Sequence, residues 1–181
     1  RGRVVHAWLA GVADIDVEIG ALREAFGEDL RLASSGPELL TDLRDGPDTG
    51  VVVISVHGQG ENGLAHGVVL SPGVELTAAH MLGWRMPRTV IVGACWTARM
   101  NPDPLGDQLA LSTLAIAKGA DSVVGAIYPL PDAPEPSPTA TLLAALYRRL
   151  PETTVARALG DAQRSMRDQP AHRWAGLVHI T

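Results

Sequence analysis

The sequence predicts an α/β domain with a mainly parallel central sheet and helices on both faces. Three observations carry this. The runs Val51 to Val56 (VVVISV), Thr89 to Gly93 (TVIVG) and Ser122 to Tyr128 are short, apolar and rich in β-branched residues, as strands buried on both faces are. Between them lie stretches with apolar residues at helical spacing, so strand and helix alternate in the rhythm of a parallel sheet. A chain of 181 residues that is 46% hydrophobic and 19% charged is also long enough to bury one core without disulfide or metal staples.

Taken in order, Arg3 to Leu9 reads as the first strand. Asp14 to Phe26 follows as a helix, with Ile15, Ile19, Leu22 and Phe26 on one stripe and carboxylates early, where the helix dipole favours them. Leu30 to Ala33 is a short strand. Ser35 caps the next helix, Pro37 suits its first turn, Leu39, Leu40 and Leu43 form its buried face, and Gly46-Pro47 ends it. The strand Val51 to Val56 then stops at His57-Gly58, which puts His57 at a strand's C-terminal end. Val68 to Leu70 and Val74 to Leu76 flank Ser71-Pro72-Gly73 as a small hairpin, read as local decoration, and Thr77 caps a short helix through Leu82.

Thr89 to Gly93 delivers Ala94-Cys95 at its own C-terminal end, and Trp96 to Gly106 is a loop. Leu109 to Lys118 is helical, closed by Gly119 in a left-handed cap, and Ser122 to Tyr128 is the next strand. Pro129, Pro131, Pro134, Pro136 and Pro138 demand an extended loop, because proline neither continues a helix nor donates to a ladder. Helices near Thr139 to Leu150 and Thr153 to Asp168 precede a last strand at Leu177 to Ile180. Residues 1–181 read as one domain, and the opening at Arg1 leads us to expect that it belongs to a longer protein.

Charge and composition exclude several classes of function. The net charge is −5 and no Lys or Arg run offers a footprint for phosphate backbones, so nucleic-acid binding is not expected. No apolar stretch reaches the roughly 18 to 20 residues of a membrane span, and no signal-peptide layout opens the chain, so a cytoplasmic setting is expected. The single cysteine forbids an internal disulfide and a cysteine-rich zinc site. His66 and His80 stand alone, with no His pair at i, i+4 and no adjacent carboxylates, so no metal and no cofactor is expected.

A parallel sheet binds ligands outside the carboxyl ends of its strands, where His57 and Cys95 both fall, 38 residues apart. On neighbouring strands a thiol and an imidazole face each other, and the imidazole makes thiolate available for attack on a carbonyl. The resulting oxyanion needs backbone donors, for which the amides of Gly58 and Cys95 are candidates. Taken singly, Cys95 reads more readily as a packed core thiol and His57 as a structural histidine; the two together, each followed by a loop at the active end of the sheet, reverse this in favour of chemistry. No residue identifies itself as the orienter of His57. A second reading rests on Gly58, Gly60 and Gly63, which satisfy the G-x-G-x-x-G of a dinucleotide site. That motif works only where a helix opens after it, and Gly67 with a Ser-Pro-Gly turn opposes one here.

The order and spacing of VVVISVHG, VVLSPGVELTAAHML, TVIVGACWTA, LAIAKGADSVVGAIYPLPD, ALGDAQRSM and RWAGLVHI resemble a CHAT domain, the bacterial branch of the caspase, separase and gingipain superfamily, over nearly the whole chain. The resemblance implies a caspase-like fold and a cysteine endopeptidase with His57 and Cys95 as dyad and Gly58 at the oxyanion site. It also implies a regulatory domain or partner protein and a role in bacterial defence or cell death. A catalytically inactive binding module of the same fold is the alternative. Gly93 stands where caspases carry glutamine, so aspartate specificity does not carry over. Asp132, with Asp103 and Asp107, points instead to a pocket for a basic residue before the scissile bond, while Arg85, Arg88 and Arg99 do not converge on the site. Asp132 also reads as an ordinary turn carboxylate. Trp96, next to the thiol, reads either as a pocket wall or as a packing residue.

Overall fold

The computed structural model describes residues 4–45, 49–59, 67–95, 97–98, 110–132 and 136–181. The first half runs β1 (Val4–Leu9), α1 (Ile15–Phe26), β2 (Leu30–Leu32), α2 (Gly36–Asp45), β3 (Thr49–Ser55), β4 (Gly58–Gln59), β5 (Gly67–Ser71), β6 (Val74–Thr77) and α3 (Ala78–Met81). The second runs β7 (Thr89–Gly93), α4 (Leu111–Ala117), β8 (Ser122–Ala126), α5 (Pro138–Arg149), α6 (Val155–Ser165) and β9 (Leu177–Ile180). A six-stranded sheet in the order β2-β1-β3-β7-β8-β9 forms the centre, parallel throughout except for β9, which pairs antiparallel with β8.

The β-branched runs become central strands because successive side chains point to opposite faces and both faces are covered. Val51 and Val53 of β3 join Val5, Ile91 and Val124 against Leu22 of α1, Leu142, Leu143 and Leu146 of α5, and Leu159 of α6. Val52 and Ile54 join Val90, Val92 and Val123 against Leu39 and Leu43 of α2 and Leu111 and Leu114 of α4. The helix ends follow local chemistry. Ser137 accepts a hydrogen bond from the Ala140 amide at the start of α5, and Thr154 accepts from Arg157 at the start of α6.

Two expectations change. The hairpin of β5 and β6 is not mere decoration: β4, the two residues after His57, pairs with β5 to make a second, three-stranded antiparallel sheet. Trp8 of β1 ties this sheet to the first by donating its indole N–H to the Leu70 carbonyl at 2.8 Å. The strand expected through Tyr128 ends at Ala126. There the Ala126 N–H and C=O are taken by the Thr97 hydroxyl (3.0 Å) and the Ala98 amide (2.9 Å), and the Ile127 amide turns to the Gly176 carbonyl.

Candidate active site

β3 and β7 pair in parallel with Ser55 opposite Gly93, and each chain runs two residues further to His57 and Cys95. The two segments touch. A Cβ on Gly58 would stand 2.2 Å from the Cys95 carbonyl oxygen and 3.0 Å from its amide nitrogen, so only glycine lets the backbone after His57 lie against the backbone of Cys95. The Val69 amide donates to the His57 carbonyl at 3.2 Å. Gly58 and Val68 are therefore the pair that exchanges no ladder bonds, and the Gly58 N–H is left out of that ladder.

The imidazole of His57 is exposed, and its Nε2 lies 2.8 Å from the Gly11 carbonyl oxygen. A carbonyl only accepts, so the proton of the neutral ring sits on Nε2 and Nδ1 is the nitrogen with a free lone pair. Gly11 holds its place because the chain leaving β1 still follows β3, with the Ala10 amide on the Ser55 carbonyl at 3.0 Å. Its φ of 73° is the left-handed backbone that favours glycine.

Cys95 is half-buried, and its Sγ accepts from the Leu130 amide at 3.4 Å. The turn that carries it is fixed from below by Thr97, which is fully buried. Its hydroxyl donates to the Ala94 carbonyl at 3.0 Å and accepts from the Ala126 amide. Gly93, where caspases carry glutamine, lies under α5: a Cβ there would stand 2.6 Å from Leu143 Cδ1 and 3.2 Å from Ser55 Oγ.

Beneath this edge lies a carboxyl group that the sequence does not single out. Glu18, read among the carboxylates favoured by the helix dipole, is buried on the apolar stripe of α1 between Ile15 and Leu22. It accepts hydrogen bonds from Ser55 Oγ (2.9 Å) and Tyr147 Oη (3.0 Å). Burial pushes it up to about 7, against the two hydroxyl donors that lower it. The tyrosine is held well above its usual range by burial and by Glu18.

Of the remaining residues singled out in the sequence, Trp96, Asp103, Asp107, Arg99, His66, Gly60 and Gly63 lie outside the described residues. The chain resumes at Gly67 as strand β5 rather than as the helix a dinucleotide site requires. Arg85 and Arg88 precede β7 and so lie at the sheet edge opposite Cys95, with Arg88 facing Asp121 at 3.8 Å. His80 completes a capping box with Thr77 at α3. Asp132 accepts from the Ala13 amide at 2.9 Å on one oxygen and from the Ser137 hydroxyl at 3.2 Å on the other. Among the described residues no group of three or more His, Cys, Asp or Glu is placed to hold a metal ion, and no helix is long and apolar enough to cross a membrane.

Sequence reasoning did not find Gly11, Leu130 or Thr97. The first two act through backbone groups, which every residue type carries, and Thr97 is one buried hydroxyl in a turn.

A parallel sheet with an antiparallel last strand, with a histidine and a cysteine just past the carboxyl ends of two neighbouring strands, has the architecture of a caspase-like cysteine protease fold. The chain belongs to the CHAT domain family, whose model matches residues 6–181. The structure is similar to the Arg-specific cysteine proteinase gingipain R (RgpB), at 12% identity and a TM-score of 0.62, over 98% of this chain and 45% of that one. It is similar to the complex of Porphyromonas gingivalis RgpB pro- and mature domains, at 9% identity and a TM-score of 0.63, over 97% and 45% of the two chains. A secreted C11 cysteine protease from Bacteroides thetaiotaomicron, solved with an irreversible peptide inhibitor, matches at 11% identity and a TM-score of 0.58, over 100% and 66%. The likeness at these identities is one of fold, and this chain spans under half the length of the gingipain chains. No curated protein matches the sequence significantly.

Proposed function

We propose that this domain is a cysteine endopeptidase in which Cys95 is the nucleophile and His57 the acid and base. The observation that carries the reading is the contact of His57-Gly58 with Cys95, together with the Gly11 carbonyl that fixes the imidazole. With Nε2 held by Gly11, Nδ1 takes the thiol proton and the thiolate attacks the scissile carbonyl carbon. The amides of Gly58 and Cys95 hold the oxyanion. His57 then returns the proton to the leaving amine, which leaves a thioester on Cys95, and the same imidazole draws a proton from the water that hydrolyses it. The step uses no cofactor.

The substrate is a protein or peptide, cut after a basic rather than an acidic residue. Support for this finer point is that two of the three arginines that could have received an aspartate side chain, Arg85 and Arg88, lie at the far edge of the sheet, the third, Arg99, lying outside the described residues. Control by a regulatory domain or partner protein, in bacterial defence or cell-death signalling, is the wider setting we propose from family membership.

An irreversible peptidyl ketone tests the reading. With a basic residue next to the warhead it should leave one adduct, mapped to Cys95 by peptide mass spectrometry, and His57→Ala should slow its formation strongly. Labelling elsewhere, or labelling indifferent to His57, would argue for the alternative of an inactive binding module.

A further inference from the structure

Two loops reach the dyad, and each presents one backbone group to one member of it. The loop after β1 offers the Gly11 carbonyl to His57 at 2.8 Å, and the loop after β8 offers the Leu130 amide to Cys95 Sγ at 3.4 Å. The two loops are tied to each other by two carboxylates that cross in opposite directions. Asp132, in the second loop, accepts from the Ala13 amide in the first at 2.9 Å. Asp14, in the first, accepts from the Ser137 amide at the far end of the second at 2.5 Å. Asp132 also takes the Ser137 hydroxyl, and Thr139 closes on the Pro131 carbonyl at 2.6 Å.

Asp14 stands in an unfavourable conformation to do this. Its φ is 53°, and among the described residues no other non-glycine residue has a positive φ. Residues with a side chain populate this region sparsely, and here the surroundings hold it. The partner it reaches, Ser137, is fully buried and is the N-cap of α5, so the crossing carboxylates are anchored to the core.

We propose that Asp14 and Asp132 are positioning residues, a cross-brace that sets the Gly11 carbonyl and the Leu130 amide on the dyad at the same time. Neither touches the reacting atoms. Without the brace the two loops part, His57 loses its fixed ring orientation, and the sulfur loses a donor that supports negative charge on it. The proposal rests on the peptidase reading for its effect on turnover but not for its effect on the thiol.

The experiment therefore reads two quantities in Asp14→Gly, Asp14→Asn and Asp132→Ala: the alkylation rate of Cys95 by iodoacetamide, and kcat and KM on Arg- and Asp-containing reporters. Glycine removes the carboxylate while easing the backbone, so Asp14→Gly should fold even if Asp132→Ala does not. Asparagine tolerates the left-handed region and keeps an acceptor oxygen. Asp14→Gly and Asp132→Ala should slow alkylation about tenfold, the effect of losing one such hydrogen bond, and lower kcat by at least as much with KM nearly unchanged. Asp14→Asn should stay within about twofold of the parent on both readouts. Unchanged alkylation and kcat in Asp14→Gly would overturn the proposal. So would a change confined to the ratio of Arg to Asp cleavage in Asp132→Ala, which would assign that residue to substrate selection. If the parent cleaves no peptide, the peptidase reading fails and the alkylation rates alone decide on the brace.

Discussion

The carbonyl of Gly11 lies 2.8 Å from Nε2 of His57, so the imidazole is oriented by a backbone oxygen rather than by a carboxylate. A carbonyl does not titrate, and it cannot be removed by changing a side chain. What can be changed is the backbone that aims it. At φ 73° an alanine in place of Gly11 is strained, although its Cβ would only come to an ordinary 3.5 Å from the imidazole. Gly11→Ala should cost about 1 kcal/mol of stability and lower kcat severalfold. Thermal melts and steady-state kinetics check this, and an unchanged kcat would count against the orienting role.

Gly58 faces a stricter limit. An alanine Cβ would overlap the Cys95 carbonyl oxygen, and the obstacle is backbone with no side-chain rotamer to relieve it. The peptide after His57 must then move away from Cys95, taking an oxyanion donor with it. Loss of one such donor costs on the order of a hundredfold in kcat, and Gly58→Ala should lose at least that. The fold should survive, because the displacement falls at the sheet edge. Circular dichroism and turnover measured on the same sample separate the two effects.

Glu18 makes the stability of the domain depend on pH. Its carboxyl group is raised from 4.5 to about 7 by burial, so the unfolded chain gives up this proton at lower pH than the folded one does. Between those two values the unfolded state binds fewer protons, and stability falls as pH rises through the window. The penalty is absent below about pH 4.5 and complete above about pH 7, reaching about 3 kcal/mol. Glu18→Gln lacks this dependence. Its melting temperature relative to the parent should therefore climb from pH 4.5 to pH 7 and then level off. A difference that stays constant across the window would show that the buried carboxyl is not what titrates.

Much of this architecture was legible in the sequence where the physics is periodic. The central strands announced themselves because burial on both faces demands β-branched residues at every position, and β3 and β7 fall within two residues of where the runs place them. His57 and Cys95 were legible as strand-end residues for the same reason. Contacts made by backbone groups were not: nothing marks Gly11 as a hydrogen-bond acceptor or Leu130 as a donor to sulfur. The burial of Glu18 was not legible because an acidic residue in the first turn of a helix suits both the dipole and a buried site, and only the neighbours Ser55 and Tyr147, distant in sequence, tell the two apart. Gly93 was legible as a departure from caspases, whereas its cause, the approach of Leu143 from α5, lies 50 residues away. The strand β4 escaped notice because two residues are too few to show a pattern.

Turnover of a peptide reporter library by the parent and by Cys95→Ala, purified side by side and matched in melting temperature, tests the central claim most directly. The account predicts cleavage by the parent, with Arg-containing reporters cut faster than Asp-containing ones, and background rates in Cys95→Ala. Equal cleavage by the two proteins would contradict the assignment of Cys95 as nucleophile.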